Sequence, residues 1–190
     1  MSPVSPEALL QFYRLLSQRG LNDAHSGNGS IRVDGRITVT PTGACADTVA
    51  VDDLIHFPEQ SAPPAGASLD ARIHAAIYRA NPEARAVLHA HVPHATALTL
   101  DGRDYTPPDL EGQLYFGERI AVLDIAYATC FDDGPAQIGP ALAEARIVIA
   151  RGHGAYAWGD SPERAYKWLC SLELSAQTAL LALQAGSYRR

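Results

Sequence analysis

The stretch at residues 86–94, AVLHAHVPH, is where the side chains of this sequence could do chemistry. On an extended strand, residues two apart point to the same face. His89 and His91 would then project into one pocket, and two imidazoles side by side make a pair of ligands for a divalent metal. The alternative is two ordinary histidines near a strand end. His94, three residues past His91, would leave the shared face.

A catalytic zinc site takes three protein ligands and keeps one position open. His153 can be the third. It lies between glycines in Arg151-Gly152-His153-Gly154, just after a short apolar run, and glycines there let the backbone come close. Asp70 and His74 are four residues apart, one turn on a helix. Asp70 is either an acid in the first turn, favourable to the helix dipole, or a carboxylate base directed at a metal-bound substrate. Two glycine-containing turns, residues 26–30 (SGNGS) and 40–43 (TPTG), have backbone N–H groups that could cradle an anion. They match neither the P-loop nor the dinucleotide-binding pattern.

These residues need a scaffold. Ser5-Pro6-Glu7 reads as an N-cap, a proline at the first helical position and an acid in the first turn. Leu9, Leu10, Tyr13 and Leu16 follow at helical spacing, and Gly20 is a stop. Strands are expected at residues 30–33 and 36–40 around an Asp34-Gly35 turn. Residues 58–68 read as a loop, 70–79 as a helix ended by Asn81-Pro82, and 86–92 as a buried strand. A short helix or turn at 95–98, a short helix at 109–116 and a strand at 120–125 come next. Residues 135–146 read as a helix, 147–150 and 155–158 as a hairpin, and Ser161-Pro162-Glu163 opens the last helix. Strands alternate with helices, and the hairpins disfavour an all-parallel sheet.

The 190 residues, 47% hydrophobic and 19% charged, suit a single domain spanning 1–190. No apolar run reaches the ~18 to 20 residues of a membrane span, and the N-terminus shows no signal peptide. Cys45, Cys130 and Cys170 are odd in number and far apart, which fits a cytoplasmic setting. A net charge of −6 argues against nucleic acid or anionic membranes as partners. Lys167, the one lysine, sits in the expected last helix, a poor candidate for Schiff-base chemistry.

In this order and spacing, SGNGSIR (26–32), ITVTPTG (37–43), DARIHAAIYRANPEARAVLHAHVPHATAL (70–98) and RGHGAYAWG (151–159) resemble the class II aldolase/adducin family over nearly the whole chain. The resemblance implies an α/β fold, a three-layer α/β/α sandwich with a largely antiparallel central sheet. It implies a divalent ion, Zn2+ with Mn2+ or Co2+ as alternatives, on His89, His91 and His153, and a homotetramer with sites at subunit boundaries. It places a substrate phosphate near Asn28, Thr42, Gly43 and Ser68. The activity implied is that of a lyase of carbohydrate metabolism, aldolase type, acting on a short ketose or sugar phosphate through a metal-stabilised enediolate. Asp70 stands where the family has a catalytic glutamate and would move the proton. Leu69 stands where aldolases tend to carry a second phosphate-binding serine. Tyr115 or Tyr105 would protonate the leaving oxygen.

RGHGAYAWG looks closest to the dehydratase branch, so dehydration of a methylthioribulose-1-phosphate-like substrate is the first alternative. A catalytically inactive adducin-like scaffold is the second. An iron oxygenase using two histidines and Asp70 is a third.

Overall fold

The computed structural model describes residues 3–189. Helix α1 (Pro6–Gln18) starts as the sequence predicts: the Ser5 hydroxyl accepts from the Ala8 N–H at 3.2 Å, and Pro6 occupies the first turn. It buries Leu9, Leu10, Tyr13 and Leu16. Strands β1 (Asn28–Val33) and β2 (Arg36–Val39) form a hairpin. Asp34 and Gly35 turn it with φ of 48° and 71°, the doubly positive geometry of a tight two-residue hairpin.

The remaining elements are β3 (Ile55–Pro58), α2 (Ala71–Ala80), β4 (Ala86–Ala90), α3 (Pro93–Leu98) and α4 (Leu110–Phe116). They are followed by β5 (Val122–Leu123), α5 (Cys130–Glu144), β6 (Ile147–Ala150), β7 (Gly154–Gly159) and α6 (Pro162–Gln184). The seven strands make one sheet in the order β3-β2-β1-β4-β7-β6-β5. Every neighbouring pair is antiparallel except β5 with β6.

Side chains alternate across this sheet and divide the core in two. Ile31, Leu88, Ile149 and Ala157 pack with α1 and α6 on one face. Ile37, Val87, Val148 and Tyr156 pack with α2 and α5 on the other. The result is the expected three-layer α/β/α sandwich. Within β4, Ala86, Leu88 and Ala90 belong to the first face, which sends His89 to the α2–α5 side.

Several details differ from the sequence expectation. Strand β3 at the sheet edge has no counterpart in it: four residues are too short to show a pattern, and Pro58 is tolerated there because an edge strand has a free side. The strand expected at 120–125 shrinks to Val122–Leu123, with Ile120 bridged to Tyr105 instead. Helix α5 begins at Cys130, ahead of Pro135, and keeps both Pro135 and Pro140 inside it. It lies close on α2, where a Cβ on Gly139 would come within 3.1 Å of the Ala76 carbonyl oxygen, so tertiary packing overrides the local cost of the prolines. Asp70 is the N-cap of α2, ahead of its first turn, and its side chain makes no capping bond.

Cys45, Cys130 and Cys170 are free thiols. Among the described residues, no helix is long and apolar enough to cross a membrane.

Candidate metal centre and its carboxylate

Strand β4 ends at Ala90, short of the expected 86–92, so His89 lies near its end and His91 just beyond it, held by the loop rather than by the strand. The His91 N–H donates to the Leu21 carbonyl at 3.1 Å and to Asn22 Oδ1 at 2.9 Å. Val92 adopts φ 39°, left-handed and unfavourable for a β-branched residue, and turns the chain away just after the histidine. His153 arrives from the β6–β7 turn. Gly154 makes this possible: its φ is 149°, and a Cβ there would lie 2.3 Å from the Ala90 carbonyl oxygen and 2.8 Å from the His91 Cα. Only a glycine lets β7 start this close to the end of β4.

The three rings converge. Centroids of His89 and His153 are 4.6 Å apart, those of His89 and His91 5.4 Å, and those of His91 and His153 5.5 Å. One nitrogen from each lies within 4.8 Å of the others. Asp70 is not part of this cluster, so the two-histidine, one-carboxylate arrangement is not what the chain builds.

The residues fit a divalent cation. His89 Nδ1 contacts the Ala155 carbonyl at 3.0 Å. A carbonyl can only accept, so Nδ1 carries the proton and Nε2 presents a lone pair. Nε2 is buried without a hydrogen-bond partner in the protein, a state that buried polar groups seldom keep unless something else satisfies them. Burial lowers the His89 pKa to about 3, against a smaller opposing pull from Asp70. His91 is also lowered, first by burial and then by His153. Both are neutral at pH 7, the form that binds metal. The hydrogen bond from His89 to Ala155 is the kind of outer support that would orient a ligating imidazole.

Asp70 lies beside this group, 3% exposed, with Oδ2 4.0 Å from His89 Nε2. The sheet register explains how it is held. Asn28 on β1 and Tyr156 on β7 are the Cα partners of His89 on either side, so the three side chains form a row facing α2. Asn28 Nδ2 donates to Asp70 Oδ2 at 2.7 Å, and the Tyr156 hydroxyl donates to the same oxygen at 3.0 Å. The Ser68 hydroxyl accepts from the Asp70 N–H at 3.3 Å. Burial pushes the Asp70 carboxyl up, whereas His89 in its charged form and the amide donated by Asn28 pull it down, for a net shift below the ordinary value; with His89 neutral, the hydrogen bonds from Asn28 and Tyr156 are what hold the carboxylate. One helical turn on, His74 Nδ1 meets the Ser30 hydroxyl at 2.7 Å, and that hydroxyl meets Tyr78 at 2.8 Å. Two positions on β1 thus match one turn of α2.

The glycine-containing turns come together next to Asn28. Thr40 N–H donates to Gly29, Thr42 N–H to Gly66 and Ser68 N–H to Thr40, and Pro41 bridges Ala67. Thr42 and Gly43 are exposed and Ser68 is buried. Leu69 is 61% exposed. A cavity of about 200 Å³ adjoins the site, with Asp70, His153 and Tyr156 at one side and Ile73, Ile125 and Phe131 on its walls.

Other expectations fall elsewhere. His94 Nδ1 pairs with Glu173 at 2.7 Å, away from the cluster as its spacing suggested. Tyr115 stacks edge-on against Trp168 and lies 4.1 Å beneath the Lys167 ammonium. The Tyr105 hydroxyl bonds Ser175 at 2.8 Å. Both tyrosines thus pack with α6, on the face of the sheet opposite His89. Tyr156, which does stack on His89, escaped the sequence reading, as did Asn22, because each depends on a strand register or a loop contact that spacing does not encode.

A family model described as the class II aldolase and adducin N-terminal domain matches residues 7–180. The methylthioribulose-1-phosphate dehydratase of Yersinia enterocolitica is 31% identical, covering 91% of this chain and 90% of that protein. The 5-methylthioribulose-1-phosphate/5-deoxyribulose-1-phosphate aldolase of Escherichia coli is 26% identical over 93% of this chain and 80% of its own. In structure, L-fuculose-1-phosphate aldolase from Thermus thermophilus superimposes with a TM-score of 0.88 and 32% identity, covering 97% of both chains. With its histidine cluster, its sandwich and these likenesses, the chain belongs to the class II aldolase and adducin family.

Proposed function

We propose that this protein is a metal-dependent lyase acting on a short ketose phosphate, by aldol cleavage. The observation that carries the reading is the cluster of His89, His91 and His153, one nitrogen of which is buried without a protein partner, beside the buried carboxylate of Asp70. A divalent ion held by the three imidazoles, Zn2+ by their nitrogen character, would act as a Lewis acid on the carbonyl and an adjacent hydroxyl oxygen of the substrate.

The chain's own groups do the rest. Asp70, ionised and held by Asn28 and Tyr156, takes the proton from the substrate hydroxyl as the neighbouring carbon–carbon bond breaks. The joined turns at Thr42, Gly43 and Ser68, next to Asn28, receive the phosphate through backbone amides and hydroxyls. The electron pair of that bond stays on the three-carbon fragment, whose carbon takes a proton from Tyr115 of a neighbouring subunit in a homotetramer; exposed Leu110 and Leu114 on α4 support such an assembly. The three free thiols suit a reducing cytoplasm.

Dehydration is a second reading, favoured by the 31% identity to a dehydratase. Asp70 would then take a proton from the carbon next to the carbonyl, and the hydroxyl one carbon further would leave as water. Metal content and product analysis test both. We expect one divalent ion per chain in the native protein and none in His153→Ala. A screen of ketose phosphates should yield an aldehyde plus a three-carbon fragment, or else one product lighter by a water. Full metal retention in His153→Ala would sink the reading.

A further inference from the structure

The two oxygens of Asp70 have different surroundings. Oδ2 accepts from both Asn28 Nδ2 and the Tyr156 hydroxyl, whereas Oδ1 is buried with no hydrogen-bond partner. A carboxylate with one donor can pivot about that bond, while two donors on one oxygen define which oxygen stays free. Asn28 comes from β1, on one side of His89, and Tyr156 from β7, on the other. Tyr156 is also rigid: its ring lies on His89 with centroids 4.2 Å apart and planes 17° from parallel, and it is fully buried. One residue therefore touches both a metal ligand and the carboxylate.

We infer that Tyr156 is a positioning residue: its hydroxyl, acting with the Asn28 amide, clamps Oδ2 of Asp70 so that Oδ1 is the oxygen that receives the substrate proton. The inference rests on the reading of Asp70 as the proton-transfer group. It also accounts for an aspartate serving where the family has the longer glutamate. A shorter arm has fewer orientations from which to reach the substrate, so its direction must be fixed from outside.

Tyr156→Phe removes the hydroxyl and keeps the ring. The native enzyme and the variant are compared in metal content, steady-state kinetics and crystal structure. We expect full metal content, KM within about twofold, and kcat lower by about tenfold to a hundredfold, the range for loss of an outer-shell support or a misplacement of about 1 Å. The crystal structure of the variant should show the carboxylate rotated about its Cβ–Cγ bond. An unchanged kcat overturns the inference. Loss of metal does too, since the hydroxyl would then be acting through His89. Should the native enzyme turn over no ketose, the functional reading fails by itself, and crystallography still decides: a carboxylate that keeps its orientation without the hydroxyl overturns the clamp.

Discussion

Asn28 and His89 stand directly opposite each other on β1 and β4, and both side chains reach the same carboxylate oxygen: Asn28 by a 2.7 Å hydrogen bond, His89 at 4.0 Å. One cross-strand pair therefore sets the distance between the candidate base and the candidate cation site. Directly paired residues in an antiparallel ladder have Cβ atoms about 4.5–5.5 Å apart, so the spacing follows from the register and needs no flexible loop.

Asp70→Asn should lower kcat by about 10² to 10⁴-fold, the usual contribution of a positioned acid–base group, while metal content stays at the native value. Asp70→Glu should retain more activity than the asparagine variant, because the carboxylate survives. Steady-state kinetics with the best ketose phosphate, alongside metal analysis, checks both; equal activity in Asn and Asp forms would remove Asp70 from the chemistry.

Gly154→Ala should be more damaging than most alanine substitutions. The new methyl would sit 2.3 Å from the Ala90 oxygen, at a φ of 149°. The backbone conformation alone costs about 1–3 kcal/mol for a non-glycine residue, and the clash adds to it. Relief requires β7 to back away from β4, which carries His153 away from His89. Thermal melting and metal titration should both report the loss, with weaker metal binding even in protein that folds.

The buried His74 predicts a particular acid sensitivity. Burial, opposed in part by Asp70, lowers its pKa to about 4 from an ordinary 6.5. Below pH 6.5 the unfolded chain takes up this proton and the folded chain does not. Stability is therefore fully present above pH 6.5 and falls as pH drops from there to about 4, by about 1.4 kcal/mol per pH unit for this one group. Denaturant melts of the metal-free protein from about pH 7 to about pH 4.5, compared with His74→Gln, should show a shallower slope in the variant.

Leu110 and Leu114 are 81% and 74% exposed, one turn apart on α4. Under the oligomeric proposal these side chains meet another copy of the chain. Leu110→Glu with Leu114→Glu should shift the mass measured by light scattering toward the monomer and lower activity if Tyr115 is shared between subunits. An unchanged mass would place the contact elsewhere.

Much of this was legible in the sequence, for identifiable reasons. Ser5, Pro6 and Gly20 bracket α1, and Asp34-Gly35 turns the first hairpin, because capping and tight turns depend on residues close in sequence. The histidines were legible because each sits at a recognisable local feature, a strand end or a glycine turn. Tyr156 was not. Its role depends on β7 pairing with β4 so that it falls opposite His89, and pairing of strands so distant in sequence is a property of the whole sheet. Asp70 was legible as a carboxylate on α2 but not as its N-cap turned toward Asn28. For Asn28 the sequence suggested a place near a phosphate; the amide it donates to Asp70 is a further contact that spacing does not encode.

The row formed by Asn28, His89 and Tyr156 belongs to three strands that the chain lays down at widely separated times. Contacts between distant segments form late and slowly during folding. A cation offered to a partly collapsed chain would find its ligands dispersed, and its capture would coincide with the last strands closing. Metal uptake in a refolding experiment would thus serve as a clock for completion of the sheet.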